Sequence, residues 1–591
     1  MDAALEQEKF ERLIQLGIAL SAEHDHGKLL ETILAEAQRL TNADGGTIYL
    51  KSESDELEFA VVRNNTLNLN VVATEENPIK MTPLPLYDAS TGAWQDKNVA
   101  SYAALHEKTI NIADAYDEED GFDFSGTWKF DHRSGYRSTS FLTIPMKERN
   151  KGKVIGVLQL INAIDPRTSD TVSFKAEDVA HVEALASQAA VAIDNQNLLD
   201  AHRQLLEAII NLMANAIDAK SPYTGGHCAR VPDLAKRLSE AAIAADRGQF
   251  SDFTMTEDEI YEFHIASWLH DCGKVTTPEY VVDKSTKLET IYNRIHEIRT
   301  RFEVLRRDAE IEFWKAVAEG GDEEQLREVF ETRVATLAKD YAFVAECNMG
   351  GEFMDVERKE RLGKIAEYSW LRHFDDRLGL SDDETARLAT VPEKQLPVQE
   401  PLLADKAEHL IPRDEDDIRP SEAKSRGFNV TVPKYRYNLG ELYNLCIDRG
   451  TLTAEERFKI NDHIVQTIIM LESLPWPAEM KRVPEFAGGH HEKIDGTGYP
   501  KGLNKDEMSV PARIMAIADI FEALTASDRP YKKPKTLSEA IRIMSFMKKD
   551  QHIDSDLFQL FLESGIYLEY AAEFLGKEQI DEVDISEFLN S

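Results

Sequence analysis

The run His490-His491-Glu492-Lys493-Ile494-Asp495-Gly496-Thr497-Gly498-Tyr499-Pro500 constrains this chain more than any other stretch. Two adjacent histidines are followed by two acids and a glycine-rich turn that ends in Tyr-Pro. A His270-Asp271 pair stands far upstream, and Asp519 lies just downstream. Together they look like a metal site assembled from distant helices. The chain must then fold so that widely separated segments meet at one point.

Composition narrows what such a site serves. The 591 residues call for several domains at roughly 100–200 residues each. A hydrophobic content of 42% is enough for ordinary cores. The formal net charge of −38 disfavours a nucleic-acid polymer or an anionic membrane surface as partner. A small anionic ligand is still compatible, because bound metal ions would dominate the field in a local pocket. Cys228, Cys272, Cys347 and Cys446 are scattered without C-x-x-C spacing. A reduced, cytoplasmic compartment is the simple reading. No apolar run approaches the ~20 residues of a membrane span. The acidic, polar stretch Met1 to Phe10 is unlike a signal peptide.

Along the chain, Leu13, Leu16, Leu20 and then Leu29, Ile33, Ala37, Leu40 fall at helical spacing, so residues from about Lys9 to Ala43 read as helices. Strand-like segments follow at Thr47-Leu50 and Leu57-Val62, and again at Ser140-Met146 and Val154-Asn162 around Asn150-Lys151-Gly152. A helix is expected to start near Lys175. Helices flanking an antiparallel sheet suggest an α+β sensor-type domain.

The segment Asn42 to Leu50 resembles the first core strand of GAF domains. Gly135 to Pro145, followed by Gly156 to Asn162, is similar to the central segment of phosphodiesterase GAF domains. Some of those carry an Asn-Lys…Phe-x-x-x-Asp-Glu signature linked to cyclic-nucleotide binding. This chain has Asn162, Phe174 and Asp178 in matching order, with Ala163 in place of Lys and Val179 in place of Glu. The resemblance implies a GAF sensor over residues 9–175. Its Asn162, Phe174 and Asp178 are the candidate contacts to an unknown small ligand; the rival is a GAF domain used for dimerisation.

From Glu177 to about Asn215 no Pro or Gly interrupts the chain. Val182, Ala186, Ala189, Ile193, Gln196, then Leu205, Ile209, Leu212 and Ala216 approximate a seam of 3-and-4 spacing. A long connecting helix over residues 176–216 is expected, either as a parallel coiled coil in a homodimer or packed within one chain. A highly charged segment, about residues 289–449, separates two regions rich in candidate site residues and reads as an insertion. Helices are expected from Tyr292 to Ala318, Glu323 to Val344 and Val356 to Leu378, then loops around Pro392, Pro397, Pro401 and Pro412. The insertion is a lid, a docking surface or an inert decoration. Residues 546–591 read as an acidic helical tail with no assigned role.

A second resemblance joins the site motifs. Tyr223 to Val231, Leu269-His270-Asp271-Cys272-Gly273-Lys274-Val275, Pro278 to Lys284, Leu452 to Glu456 with His463, the Gly-Tyr-Pro run, Arg513 to Asp519 and Asp528-Arg529-Pro530-Tyr531-Lys532 occur in the order of the HD-GYP branch of the HD metal-dependent phosphohydrolases. Cys228 and Cys272 stand where Ser and Ile are more usual. The resemblance implies an all-α HD-superfamily domain over residues 217–545 that hydrolyses cyclic di-GMP to linear pGpG and onward to GMP in bacterial signalling. A mixed cyclic dinucleotide as substrate, or a non-catalytic nucleotide receptor, are the alternatives.

Imidazole and carboxylate ligands suit divalent iron, manganese or zinc. His227, His270, His463, His490 and His491 supply nitrogens, and Asp271 and Asp519 supply oxygens. Seven ligands are too many for one ion with an open position and suit two, with iron or manganese expected. Two metals about 3.5–4 Å apart can share a hydroxide and clamp a phosphate. A third metal, known in the family, needs an extra carboxylate near the opening motif; Tyr223 cannot serve there and Asp218 lies nine residues before His227. Asp271 and Lys274 are the expected catalytic pair, with Lys274 neutralising charge on the phosphoryl oxygens. Gly498, Tyr499 and Pro500 are expected to wall the substrate, and Arg529 and Lys532 to hold its phosphates or guanine edges.

Overall fold

The computed structural model describes residues 25–74, 78–117, 121–148, 152–220, 226–351, 353–413, 425–526 and 534–589. They form two compact units, Met1–Glu207 and Ala208–Ser591. Leu13, Leu16 and Leu20, with Asn150 and Lys151, lie outside the described residues.

The first unit is built on an antiparallel sheet. Its strands are β1 (Ala43–Lys51), β2 (Glu56–Asn64), β3 (Leu69–Val72), β4 (Leu84–Pro85), β5 (Ile110–Ile112), β6 (Phe141–Lys147), β7 (Val154–Ile164) and β8 (Thr171–Val172). The path is β3-β2-β1-β7-β6-β5, with β4 on β2 and β8 on β7. The helix His26–Thr41 is capped by Asp25, whose carboxylate accepts the Lys28 N–H at 2.9 Å. It stops where Asn42 takes φ 51°. Leu29, Leu30, Ile33, Leu34 and Ala37 form its buried stripe. Gly46 lets that stripe approach β1, since a Cβ there would stand 2.7 Å from Leu34 Cδ1.

One helix, Ala176–Lys220, follows the sheet. Val182, Ala186, Ala189 and Ile193 of the expected seam are buried in the core of the first unit. That half of the pattern is therefore spent inside one chain, which is the rival of the coiled-coil reading. Leu198, Leu205, Ile209 and Leu212 are exposed, whereas Ile210, Ala214 and Ile217 are buried.

The second unit is helical. His227–Ile243, Glu257–Leu269, Ala454–Glu472, Val483–Gly488 and Val510–Thr525 carry the site residues or pack beside them. Two of these helices start at capping boxes, Thr256 with Glu259 and Thr453 with Glu456. Each cap contributes about 1 kcal/mol and fixes where its helix begins. The tail is part of this unit. Helices Ser555–Glu563 and Ile566–Phe574 pack on the His227–Ile243 helix. Ring centroids lie 5.0 Å apart for Phe521–Phe561 and 5.5 Å apart for Phe521–Tyr570. Burying each such ring stabilises by about 3 kcal/mol, so the stretch given no role in the sequence supports the helix that presents Asp519.

The inserted segment has a core of its own, including Leu288, Ile298, Phe302, Leu337, Phe343, Val344, Leu362, Ile365, Leu402 and Leu445. Helices Ile295–Ala318 and Glu323–Asn348 match two expected ones. The third is corrected: helix Val356–Ala366 ends well before Leu378, and Ser369–Arg372 is a strand paired with Val398–Pro401. Residues 397 to 401 are thus partly a strand instead of loop, and a short ribbon, Leu410–Ile411 with Tyr437–Asn438, follows.

Candidate metal centre

Asp271 ends a turn between two helices and is buried to 2% exposure. His227 Nε2 lies 3.1 Å from Asp271 Oδ2, and His463 Nε2 lies 3.1 Å from Oδ1. His227, His270, Asp271 and Asp519 offer ligand atoms within 4.8 Å of one another, and so do Asp271, His463, His490 and His491. One carboxylate is thus common to both groups. All seven side chains named from the sequence meet here.

Backbone carbonyls aim three of the rings. His270 Nδ1 pairs with Ser267 O at 2.7 Å, His463 Nδ1 with Ile460 O at 2.5 Å and His490 Nδ1 with Ala487 O at 2.7 Å. Each partner lies three residues back along the helix or turn that carries the ring. With Nδ1–H donated to a carbonyl, the Nε2 lone pair is left for another partner. His270 Nε2 and His490 Nε2 are buried and have no hydrogen-bond partner among the described residues. His491 Nε2 faces His463 Nε2 at 3.2 Å. Lone pairs aimed at one another and at a bridging carboxylate fit divalent cations, since buried acceptors otherwise go unsatisfied.

The fourth ring is oriented by a carboxylate that sequence reasoning missed. Glu522 Oε2 lies 2.5 Å from His227 Nδ1, and its Oε1 accepts from Arg230 Nε at 2.8 Å. Glu522 sits three residues after Asp519 on the same helix, and Arg230 three after His227, a spacing that was the available signal.

Electrostatics follow from this crowding. Burial raises the Asp271 carboxyl, but Lys274, His270 and His227 overcome it and hold the group well below the usual carboxylate range. Burial lowers His227, and the Glu522 carboxylate more than reverses this, taking it to about 9. Burial raises Glu522, and His227 and Arg230 bring it down to about 2. Burial, with neighbouring rings, pushes His490 down to about 4 and His491 well below its ordinary value. The two are neutral donors at pH 7, as metal ligation requires.

Two glycines let the pieces close. A Cβ on Gly273 would lie 1.9 Å from His463 O, and one on Gly498 would lie 2.3 Å from Lys493 N. Glu492 accepts N–H groups from Lys501 at 2.7 Å and Leu503 at 2.9 Å, which folds the Gly-Tyr-Pro run back on itself. It is a loop brace with no place in either ligand group. Tyr499 stacks on His491 with centroids 4.9 Å apart and planes at 15°. Lys274 Nζ donates to Asp271 Oδ2.

Other expected residues are placed elsewhere. Arg529 and Lys532 lie outside the described residues. Asp218 accepts the Gly226 N–H at 3.1 Å, at the start of the His227 helix. In the first unit, Asn162 takes φ 55° and spends its amide on the backbone. Its Oδ1 accepts from Thr139 N and Ser140 N, and its Nδ2 donates to Tyr136 Oη and Arg137 O. Phe174 is buried in the core and Asp178 is half-buried. Asn162 and Phe174 thus brace the fold where ligand contacts were expected, because both are consumed by internal packing and hydrogen bonding.

The GAF domain family model matches residues 25–193, and the HD domain family model matches residues 397–557. The chain therefore carries a GAF domain followed by an HD domain. His227, His270 and Asp271 fall outside the matched HD stretch, on the far side of the insertion. The chain is 33% identical over 152 residues to the 3'3'-cGAMP-specific phosphodiesterase 1 of Vibrio cholerae serotype O1, covering 24% of this chain and 34% of that one. It is 40% identical over 111 residues to the 3'3'-cGAMP-specific phosphodiesterase 3 of the same organism, covering 18% and 23%. A cyclic di-GMP phosphodiesterase of Pseudomonas aeruginosa is 48% identical over 79 residues, covering 13% and 18%. The chain spans about a third or less of the length of these relatives.

Proposed function

We propose that the second unit is a metal-dependent phosphodiesterase that opens a cyclic dinucleotide, with cyclic di-GMP cut to linear pGpG and then to GMP. The observation that carries this reading is the sharing of Asp271 between two ligand groups, beside the Nε2 atoms of His270 and His490, which make no hydrogen bond among the described residues. His227, His270 and Asp519 would hold one divalent ion, and His463, His490 and His491 a second, with Asp271 common to both. The nitrogen-and-oxygen donor set, free of thiolate, suits iron or manganese. Such ions, when bound, polarise phosphoryl oxygens and bring the pKa of water toward ~7.

The chain's own residues supply the rest. Asp271 stays ionised through its ion pair with Lys274. The Lys274 ammonium stands where charge develops on the phosphoryl oxygens. Tyr499, held flat on His491, with Gly498 and Pro500, walls the substrate side. The seven converged ligands favour catalysis over a receptor that only binds nucleotide.

The names of two relatives favour a second substrate, 3'3'-cGAMP. The GAF domain is the regulatory half in this reading, answering an unknown small ligand. The exposed Leu198, Leu205, Ile209 and Leu212 make the connecting helix the natural seam of a homodimer.

Turnover of cyclic di-GMP and 3'3'-cGAMP by wild type and His270→Ala tests the reading. Wild type is expected to cut one of them, and the variant to lose about 10³-fold in kcat/KM, equivalent to about 4 kcal/mol of barrier. Equal rates for the two proteins would place the chemistry elsewhere.

A further inference from the structure

The tail holds the Gly-Tyr-Pro run from behind. Residues 494 to 505 double back on themselves. Asp495 and Asn504 pair as an antiparallel bridge, and the Lys505 N–H donates to Ile494 O at 3.2 Å. Gly498, Tyr499 and Pro500 stand at the far end of this hairpin. Its base hangs on the turn that precedes the tail helix Ser555–Glu563. The Asp495 N–H donates to Gln551 O at 3.2 Å, and the Ile494 N–H to His552 O at 3.4 Å. Gly496, Gly498 and Gly502 give the hairpin little stiffness of its own, so its place depends on what it is tied to.

One buried carboxylate gathers these pieces. Asp554 is 1% exposed. Its Oδ1 accepts the N–H groups of Asp556 at 2.9 Å and Leu557 at 3.3 Å, which caps the tail helix. Its Oδ2 accepts from Arg513 Nη1. Lys505 Nζ lies 3.4 Å from the same carboxylate and 2.8 Å from Asp556 Oδ2. Arg513 is itself buried, six residues before Asp519 on the Val510–Thr525 helix, about 9 Å along its axis. Asp554 therefore joins three elements: the tail helix, the helix that presents Asp519 and the hairpin arm that ends at Lys505. An exposed ion pair would do little to fix a loop. A carboxylate taken out of water needs its partners in place, and here two cations and two N–H groups supply them. None of Asp554, Arg513 and Lys505 belongs to either ligand group.

We propose that Asp554 and Lys505 are positioning residues for the substrate, and that they set where the Gly-Tyr-Pro wall stands relative to Asp519. The assignment rests on the reading of the metal centre as a cyclic-dinucleotide hydrolase. A small phosphodiester asks only for the proposed metal ligands and Lys274. A cyclic dinucleotide must also seat its nucleoside halves against the wall. Displacing a substrate-positioning group by about 1 Å can cost about 10²-fold. The tail, to which the sequence gave no role, thereby acts on the substrate side of the site without touching it.

Steady-state kinetics of the full-length, metal-loaded protein test this with two substrates. One is a cyclic dinucleotide; the other is bis(p-nitrophenyl) phosphate, a phosphodiester with no nucleoside to seat. The variants are Asp554→Asn, Lys505→Met and Lys505→Arg. Asparagine still caps a helix, and methionine keeps the apolar stem of lysine. Lys505→Met changes a side chain that is 28% exposed, so it decides the matter if Asp554→Asn fails to fold. Lys505→Met is expected to raise KM for the cyclic dinucleotide about tenfold, with kcat changed by less than about threefold. Its metal content and its turnover of bis(p-nitrophenyl) phosphate should stay within about twofold of wild type, and Lys505→Arg should restore most of the lost affinity. Parallel losses on both substrates would make the joint a structural tie only, and an unchanged KM in every folded variant would mean that it positions nothing; either result overturns the assignment. A wild type that cuts bis(p-nitrophenyl) phosphate but no cyclic dinucleotide refutes the functional reading, and the assignment with it.

Discussion

Glu522 and His227 behave as a pair whose proton a metal must displace. Burial lowers His227, yet Glu522 raises it to about 9, so the ring is protonated at neutral pH before metal enters. His490, near 4, and His491, well below its usual value, are already neutral. Metal affinity should therefore rise with pH up to about 9. Uptake near pH 7.5 should release about one proton per chain. Calorimetric titration of Mn²⁺ in two buffers of different ionisation enthalpy measures this. Glu522→Gln removes the largest raising influence, so proton release should fall toward zero and metal affinity should drop about 10–100-fold. Unchanged release in the variant would contradict the pairing. The convergence of the seven proposed ligands was legible in the sequence because they stand in spaced motifs. Glu522 was not, since it is one acid among 106 and only the turn of a helix puts it beside His227. Asn162 shows the opposite failure: it stands in the right order for a ligand contact, but its amide is used on the backbone of residues 137–140.

Two elements meet closely enough at Gly273 for the consequence to be tested. The turn Cys272–Thr276 abuts the Ala454–Glu472 helix, and the Gly273 N–H donates to Thr467 Oγ1 at 2.9 Å. Gly273→Ala would force a Cβ against His463 O and Thr467 N, atoms of backbone that cannot swing aside. A loss of about 3 kcal/mol is expected, with a lower Tm and weakened metal retention together. Gly363→Ala, on the helix Val356–Ala366 where an added Cβ meets nothing within 4 Å, should gain up to about 1 kcal/mol. Similar Tm values for the two variants would mean that the close approach is not needed. At this scale the sequence was readable wherever apolar residues recur along a helix. It failed after Ala366, because Ser369–Arg372 finds its strand partner only at Val398–Pro401 and local periodicity carries no trace of such a pairing. The tail was readable as helix, but its packing on the site helices depends on the fold.

For the whole molecule, the order of domains was legible and the place of the insertion in the fold was not. A GAF domain precedes an HD domain, as the motifs implied. Residues 289–449 read from the sequence as a lid, a docking surface or an inert decoration; the segment builds its own core and returns to the Gly-Tyr-Pro run through Asn429. No described helix is long and apolar enough to cross a membrane. The central claim is that Asp271 unites two metal sites in one chain, and metal content per chain of anaerobically purified protein tests it most directly. Wild type should hold two divalent ions, His491→Ala should lose the one on its side first, and Asp271→Ala should lose both together with turnover. Wild type with no bound metal, or Asp271→Ala that keeps two ions and its activity, would contradict the account.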